Sequence, residues 1–272
     1  MAEVIGPIAA VAHVRDGELQ MPGWAHAPNA QLVFHRCVVT ADGADLDEKP
    51  VLAWAEKSDL GQAGADELAR NVVTRRDAAL RSLAGVGLTV RELRFTPESA
   101  VVTGTADSGV RNVGITLHGT YGWPTLPASS LKGVTHAFGR DVDEMPEERR
   151  RALFGAPRPD ERAGDVGASR GTVTFLDALP DRVRVVREVL TPHVRPYHDD
   201  TTRNTPPAEY FNPIPVEFLA VRGGTFVTAL VGAADDVAAA ERLLVAALDD
   251  LGVGAKTAAG YGYLQQVHRD RP

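Results

Sequence analysis

The segment Gly252-Val253-Gly254-Ala255-Lys256-Thr257-Ala258-Ala259-Gly260-Tyr261-Gly262, close to the end of the chain, is its most informative part. Its four glycines allow turns that other residues resist, and they let backbone N–H groups approach an anion closely. Lys256 adds a positive charge and Thr257 adds a hydroxyl donor. We therefore interpret the segment as a loop that contacts a phosphate-bearing partner. Its candidate contact residues are Gly252, Gly254, Lys256, Thr257, Gly260, Tyr261 and Gly262.

This glycine-rich loop (residues 252–262) differs from a P-loop. A P-loop has glycine directly before its Lys-Ser/Thr pair and runs from a strand to a helix. Here Ala255 precedes Lys256, a helix is predicted before the loop, and a strand is predicted after it. A structural interpretation stays open, because Gly252 follows Leu248 and Leu251 and fits a helix C-cap.

A second loop with a related composition lies in the middle of the chain, at residues 117–133. Ser129 or Ser130 is predicted to cap a helix that runs to about Phe138, with Lys132 in the first turn. A cation there opposes the helix dipole, unless an anion docks on the free N–H groups of the helix start. The candidate contact residues of this loop are Ser129, Ser130, Lys132 and Gly133.

Composition narrows the class of protein. The chain has 272 residues, a hydrophobic content of 44% and a net charge of −7, which argues against a free-standing, non-specific nucleic-acid binder. No apolar run approaches the roughly 18 residues of a membrane helix, and the first residues lack a secretion signal. Cys37 is the single cysteine, so an intrachain disulfide and a cysteine-based zinc site are excluded. We expect a cytoplasmic protein with no membrane partner and no cofactor or metal.

Local patterns predict an alternation of strands and helices. Helices are predicted at residues 65–83, 130–138 and 235–251, the last with Val237, Leu244, Leu248 and Leu251 on its buried face. Residues 216–221 and 225–231 are predicted to form a hairpin across Gly223-Gly224. Further strands are predicted at 5–14, 32–39, 88–95, 171–177, 184–190 and 263–268, and residues 100–105 are expected to continue or pair with 88–95.

The two loops together resemble those of the RAMP superfamily of CRISPR effector proteins. The middle loop contributes Pro127-Ala128-Ser129-Ser130-Leu131-Lys132-Gly133 and the late loop contributes residues 252–262. Four further segments follow the order found in the sixth subunit of type III-B (Cmr) complexes. They are Leu153-Phe154-Gly155, residues 171–178, Thr191-Pro192-His193 and residues 213–219.

The resemblance covers about residues 86–265 and is incomplete at two positions. Ala128 stands where the family usually has glycine, and His136 stands where it usually has arginine. His136 thus joins the candidate RNA contacts as a weaker one. Residues 1–85 bring no motif to the match.

The resemblance implies an α+β fold, the ferredoxin-like (RRM-type) arrangement with insertions and an N-terminal extension. Residues 86–272 would form this domain, residues 1–85 would be the extension, and the two loops are expected to converge in space. The implied partners are the guide (CRISPR) RNA toward its 3′ end, the guide–target RNA duplex, and other RAMP subunits. Those subunits are the repeated backbone subunit and the terminal subunit, with a small helical subunit beside them.

The resemblance also implies that the chain holds RNA without cleaving it, but alternatives stay open. Some RAMP proteins cleave guide precursors without metal, and the candidate histidines here are His118, His136, His193 and His198. A pure protein scaffold and a different RAMP subunit are two further alternatives. Asp177 is expected to be structural rather than a nuclease carboxylate. Residues 193–215, which include Tyr210 and Phe211, form either a thumb that enters the duplex or a surface loop.

Overall fold

The computed structural model describes residues 2–5, 9, 12–21, 29–41, 45–58, 60, 67–105, 114–156, 168–192, 194–208, 210–213 and 215–268. The elements before residue 86 are β1 (Glu3–Ile5), β2 (His13–Arg15), β3 (Glu18–Gln20), α1 (Ala30–Arg36), β4 (Val38–Ala41), β5 (Asp45–Leu46), α2 (Lys49–Lys57) and α3 (Glu67–Gly85).

The elements from residue 86 onward follow in chain order. They are β6 (Thr89–Pro97), β7 (Ala100–Val101), α4 (Ala128–Asp141), α5 (Glu147–Phe154), β8 (Gly155–Ala156), β9 (Ser169–Arg170), β10 (Thr174–Phe175), β11 (Leu179–Asp181), β12 (Arg184–Leu190), α6 (Arg195–Asp199), β13 (Val216–Arg222), β14 (Thr225–Gly232), α7 (Ala234–Asp250), a 3-10 turn (Thr257–Ala259) and β15 (Leu264–Gln266).

The main sheet is antiparallel and has the strand order β10-β14-β6-β15, with β11 also paired to β14. The central pair runs from Thr89 opposite Gly232 to Phe95 opposite Phe226. On the other edge of β6, Gln266 of β15 lies opposite Phe95. The central strands are thus the first and the penultimate strand of this part of the chain, as expected for two interleaved strand–helix–strand units.

Helices cover both faces of the main sheet. Leu244 and Leu248 of α7 are fully buried in the same cluster as Leu93 and Phe95, which alternate on one face of β6. On the opposite face, Leu80 of α3 packs with alternate residues of the strands, in a cluster of Leu80, Ala229 and Val231 flanked by Val90 and Leu176. Because successive strand residues point to opposite faces, these two sets define two separate helix layers.

The hairpin predicted across Gly223-Gly224 is wrong, since β13 and β14 belong to different sheets. β14 pairs with β11, whereas β13 pairs with β12 and with β7 in a second sheet of order β12-β13-β7. The register between the two arms is nevertheless unbroken. From the pair Asp181–Thr225 to the pair Arg184–Arg222, each arm advances by three residues. One long antiparallel ladder therefore bends from the first sheet into the second.

Backbone contact explains why glycine is required at this bend. Gly223 and Gly224 have φ of +65° and +60°, a region of backbone conformation that favours glycine. β13 and β14, on either side of these glycines, are not paired with each other. A Cβ on Gly224 would lie 2.5 Å from backbone atoms of Arg182. The backbones of residues 182–183 and 224 lie too close together for a side chain at position 224. Glycine at this position therefore allows the ladder to bend.

Two other strand predictions, at residues 32–39 and 100–105, are also corrected by the structure. Residues 32–39 are not one strand, because α1 covers Ala30–Arg36 and only the following β4 is extended. The side chain of Asn29 caps that helix by accepting hydrogen bonds from Gln31 N (3.0 Å) and Leu32 N (3.4 Å). Residues 100–101 do not pair with β6 but with β13.

The N-terminal segments share the core of the rest of the chain. Val51 and Leu52 of α2 are buried in the same cluster as Leu93 and Leu244, and α2 packs against β3 and β12. β1 and β4 pair in a small sheet with β5, and β2 pairs with β3. Whether residues 1–85 form a unit of their own stays a prediction. The helices predicted at 65–83 and 235–251 are confirmed as α3 and α7.

Candidate nucleic-acid interface

The glycine-rich loop begins as the C-cap of α7. Leu251 N and Gly252 N both donate to Ala247 O, at 3.0 and 3.1 Å, and Gly252 has φ of +69°. This is the left-handed residue that commonly ends a helix. The structural interpretation of Gly252 is therefore confirmed, and the residue is buried.

Two more glycines of the loop are required by the protein's own backbone. A Cβ on Gly254 would collide with Val102 O, and a Cβ on Gly262 would collide with Val253 O. The loop is held against the strand region at residues 100–102 by Ala255 N donating to Val102 O (2.7 Å) and Gly262 N donating to Ala100 O (2.8 Å). Gly260 has open space around it and φ of +89°, so that glycine serves the turn alone.

The exposed part of the loop offers backbone donors and one fixed cation. Lys256 adopts the left-handed conformation (φ 61°, ψ 29°) at the start of the 3-10 turn. Within the described chain, the N–H groups of Lys256, Thr257 and Ala258 have no hydrogen-bond partner. Successive free N–H groups beside a left-handed residue form a concavity suited to an anion.

Aromatic rings support the Lys256 side chain. Its Nζ lies 4.9 Å from the centroid of the Phe218 ring, in a cation–π contact. Tyr261 meets the same ring edge-on at 5.6 Å between centroids. Burial raises the pKa of the Tyr261 hydroxyl, and the Glu188 carboxylate raises it further. Phe218, which sequence reasoning missed as a site residue, lies in the Pro-x-x-Phe part of the 213–219 motif and links β13 to the loop.

The middle loop is built differently from the prediction. Neither Ser129 nor Ser130 is the N-cap of α4, since the cap is Pro127 and no side chain of that residue bonds the helix. Asp177 supplies the missing acceptor instead, with Oδ1 accepting from Ala128 N at 2.7 Å. Asp177 is thus structural, as expected, but it caps α4 rather than the turn that follows it.

A cavity of about 220 Å3 lies beside the start of α4. Ser129 and Lys132 line it together with Arg170, Gly171 and Thr174. Arg170 adds a second cation that sequence reasoning missed, and its only signal was its position next to the 171–178 motif. Gly133 is exposed on α4 with no atom near its missing Cβ.

His136 lies on the same side of α4 as Lys132 and Arg140, at intervals of four residues. Burial lowers the pKa of the His136 imidazole, and the cations Arg150, Arg140 and Lys132 lower it further. The ring meets Phe154 edge-on, with centroids 5.5 Å apart. We call the surface formed by Lys132, His136 and Arg140 of α4 with Arg150 of α5 the α4 basic face. Its cations favour a bound anion, although the Asp141 carboxylate already accepts two hydrogen bonds from Arg140.

The two groups of predicted site residues lie on different elements, one at the start of α4 and the other after α7. Among the described residues, no hydrogen bond, ion pair or ring contact joins residues 128–136 to residues 252–262. Lys132 borders β9 and β10, whereas Lys256 borders Phe218 of β13. Convergence of the two loops into one cradle stays a prediction.

Three further histidines, His118, His193 and His198, are candidate catalytic residues. His118 accepts a hydrogen bond from Thr120 N at Nδ1 (3.2 Å) and stacks on Tyr121. His198 is exposed and meets Tyr197 edge-on, whereas His193 lies outside the described residues. The part of the chain that the structure describes contains no group of three or more His, Cys, Asp or Glu side chains placed to hold a metal ion.

The connection from β12 to β13, residues 191–215, is the tip of the long ladder. α6 lies within it, and Asp200 organises the turn that follows by accepting from Thr202 N (2.8 Å), Asn204 N (2.9 Å) and Thr205 N (2.7 Å). Side-chain hydrogen bonds from Thr202 and Thr205, with the backbone bonds of the same two residues, hold the pKa of the Asp200 carboxyl far below its usual range. Tyr210 is 77% exposed, so it does not pin the tip to the core.

The sequence of the chain matches a protein-family model. The model of the RAMP superfamily matches residues 94–265, well over half of the chain, and the chain therefore belongs to the RAMP superfamily. Both the α4 start and the glycine-rich loop lie within the matched region.

Particular relatives come from CRISPR systems. The chain is 28% identical over 225 residues to the CRISPR system Cmr subunit Cmr6 of Pyrococcus furiosus, a match that covers 63% of this chain and 66% of that protein. The chain thus spans just under two thirds of that relative's length.

Solved structures give two further matches. One is a cryo-EM structure of the type III-B Cmr-beta complex bound to cognate target RNA, with a TM-score of 0.55 and 22% identity over 73% of this chain and 65% of that one. It supports the RAMP-like α/β fold alone. The crystal structure of Cmr6 from Pyrococcus furiosus is 26% identical and covers 66% of this chain and 99% of that one. Its TM-score of 0.38 is too low to support a conclusion about the fold.

Proposed function

We propose that this chain is a non-catalytic subunit of a type III-B CRISPR effector complex that holds the guide RNA backbone toward its 3′ end. The observation that carries the proposal is the match to the RAMP superfamily over residues 94–265 combined with the relationship to Cmr6. In such a complex the chain would contact neighbouring RAMP subunits and the guide–target RNA duplex.

We further propose that the main sheet with α4 and α7 is the ferredoxin-like arrangement of this superfamily. The order β10-β14-β6-β15 supports it, because the strands then follow as second, third, first and fourth of a βαββαβ unit. α4 follows β6, and α7 follows β14. α3 and the strands β12 and β13 are additions to this unit.

The chemistry of the two loops suits a ribose-phosphate chain. Free N–H groups at Lys256, Thr257 and Ala258, with the hydroxyls of Ser129 and Thr257, donate to phosphate or 2′-hydroxyl oxygens. Such contacts position a strand without reading its bases. Sequence specificity then comes from base pairing of the guide with its target.

The α4 basic face would contribute charge in a pH-dependent way. An approaching phosphate stabilises the cationic form of His136, which its neighbours disfavour in the free protein. Arginine, usual in the family at this position, would carry the charge at any pH. This surface therefore binds a phosphate less strongly near neutral pH than an arginine-bearing relative does.

Filter binding of the full chain to single-stranded RNAs of equal length and unrelated sequence tests the proposal. We expect Lys132→Ala and Lys256→Ala each to weaken binding several-fold, by about the same factor for every RNA. Each substitution is also expected to reduce the slope of the logarithm of the binding constant against the logarithm of the salt concentration by roughly one. Lys49→Ala is the matched control, because Lys49 is exposed on α2 and belongs to neither loop.

Three outcomes would contradict the proposal. The first is an effect of either lysine that depends strongly on RNA sequence, and the second is an equal effect of Lys49→Ala. The third is metal-independent cleavage of a guide precursor that is lost on substitution of His118, His136 or His198 by alanine. Cleavage of that kind would favour a guide-processing endoribonuclease.

A further inference from the structure

A second cavity lies on the face of the main sheet that α3 covers. It has a volume of about 370 Å3 and is enclosed by α3, by β6, β11 and β14, and by the loop at Trp123. Cavities that hold small ligands in proteins have volumes of about 300 to 1,000 Å3. None of the residues that line this α3 cavity is among the proposed guide-RNA contact residues of α4 and the glycine-rich loop.

Two of the side chains that line the α3 cavity are arginines with an unpaired buried nitrogen. Arg76 Nη2 and Arg94 Nε are buried atoms without a hydrogen-bond partner in the described chain. Burial lowers the pKa of Arg76, whereas the carboxylates of Glu92, Asp177 and Asp77 raise it. Buried donors are almost always satisfied in proteins, so both guanidinium groups have unused hydrogen-bonding capacity next to the cavity. Arginine favours the oxygens of carboxylate and phosphate groups.

Acidic side chains limit the charge that a ligand can bring. Asp77, Glu92 and Asp181 line the same cavity as the arginines. Arg94 is 3.5 Å from Asp181 through Nη1, and its Nε is 3.4 Å from Glu92 Oε1 without hydrogen-bond geometry. A ligand that placed several phosphate groups inside the cavity would be repelled by these carboxylates. A ligand with one phosphate group and several N–H donors complements both signs of charge.

An immobilised aromatic ring forms one wall. Trp123 lines the cavity and stacks on Tyr121 with ring centroids 4.7 Å apart and planes 24° apart. Tyr121 in turn stacks on His118 at 4.5 Å, and its hydroxyl accepts a hydrogen bond from Arg75 Nη2 of α3 (2.5 Å). A fixed indole next to arginine donors favours a planar ring with an attached anion.

We propose that the α3 cavity binds a single nucleotide. The base packs on Trp123 and donates its N–H groups to the carboxylates. The phosphate accepts from the guanidinium groups of Arg76 and Arg94. The same chemistry is presented by a free nucleoside monophosphate and by one displaced nucleotide of an RNA strand.

Calorimetric titration of the full chain with AMP, GMP, CMP and UMP tests this site. We expect saturable one-to-one binding of at least one of them, weakened about tenfold or more by Arg76→Gln. Arg81→Gln is the matched control, because Arg81 is on the same helix, is exposed and does not line the cavity. Val73→Phe places a larger side chain at the rim of the cavity and is expected to abolish binding. This variant replaces Arg76→Gln as the test if Arg76→Gln fails to fold.

Three results would overturn the site. They are the absence of heat and of thermal stabilisation with all four nucleotides at millimolar concentration, equal stabilisation by inorganic phosphate, and equal weakening by Arg81→Gln. Lys132→Ala and Lys256→Ala are expected to leave nucleotide binding unchanged, so the nucleotide site and the proposed guide contacts fail independently.

A competition experiment separates the two sources of nucleotide. If the site receives a nucleotide of an RNA strand, a short oligonucleotide with a 5′-phosphate displaces bound AMP. If it receives free nucleotides, the oligonucleotide leaves AMP in place. Either result is consistent with the site and assigns its ligand.

Discussion

Single glycines in the loop at residues 252–262 differ in what they do for the fold. Gly254→Ala places a Cβ against Val102 O in a left-handed backbone, so we expect a loss of about 2 to 4 kcal/mol in the free energy of unfolding. Gly260→Ala meets no atom and is expected to lose only about 1 kcal/mol through its positive φ. Urea unfolding followed by circular dichroism measures both.

Gly133→Ala is the control for this pair. Gly133 is exposed in the interior of α4 with nothing near its missing Cβ, and alanine there is expected to stabilise by about 1 kcal/mol. Equal destabilisation by Gly254→Ala and Gly260→Ala would show that steric contact with Val102 is unimportant.

Asp177 is predicted to act on stability alone. Asp177→Ala removes the acceptor for Ala128 N and is expected to cost about 1 kcal/mol, whereas Asp177→Asn keeps an oxygen acceptor and costs less. Thermal unfolding of both variants checks the order. An RNA-cleavage activity that Asp177→Asn removes without loss of stability would contradict this structural role.

His136 makes stability depend on pH. The folded state lowers the pKa of His136, so the unfolded chain binds the proton first as the pH falls. The contribution of neutral His136 is present above the unfolded value of about 6.5 and is lost as the pH falls below it. We expect His136→Gln to lose less stability than the parent chain between pH 7 and pH 5, measured by urea unfolding.

Binding of RNA should show the opposite trend. If His136 meets a phosphate, affinity rises as the pH falls, and His136→Arg raises affinity at pH 7 and removes this dependence. A pH-independent affinity in the parent chain would separate His136 from the RNA contacts.

At the level of elements, sequence periodicity found the long helices and missed the bend of the ladder. α7 was predictable because Val237, Leu244 and Leu248 recur on one face. Gly223-Gly224 has the composition of a hairpin turn, but the close approach of Gly224 to Arg182, at the point where the chain enters another sheet, involves a residue 42 positions away. The composition of residues 32–36 predicts a strand, but the side chain of Asn29 caps a helix that includes them.

The candidate site was predictable only in part, because some of its residues come from segments that are distant in the sequence. The glycine-rich loop and the α4 start were found from local composition. Phe218 and Arg170 come from distant segments, and only the tertiary fold brings them to Lys256 and Lys132. The glycines suggested an anion site, yet Gly252, Gly254 and Gly262 are explained by the protein's own backbone.

α3 is predicted to be an integral layer rather than a detachable extension. Leu80→Ala removes a side chain that is 8% exposed against Ala229 and Val231, and we expect a loss of about 2 to 3 kcal/mol. Leu83→Ala, on the same helix but 37% exposed, is expected to lose less than about 1 kcal/mol. Equal, small losses in urea unfolding would mean that α3 contributes little to the core.

At the scale of the whole molecule, the sheet has helices on both faces, and the described residues contain no helix long and apolar enough to cross a membrane. With a net charge of −7, the chain cannot gather RNA by its overall field. The RNA affinity that we propose must therefore come from local donors and from the proposed neighbouring subunits. The cytoplasmic location and the division at residue 85 stay predictions.

The unbroken ladder from β11 and β12 to β13 and β14 restricts how the molecule can vary in length. An extra residue in one arm alone would turn every side chain beyond it to the other face of the sheet. Gains and losses must therefore occur in matched pairs or at residues 191–215, where the arms join. Homologous chains are expected to differ most in length at that junction, and a fluorescent label or affinity tag is best tolerated there.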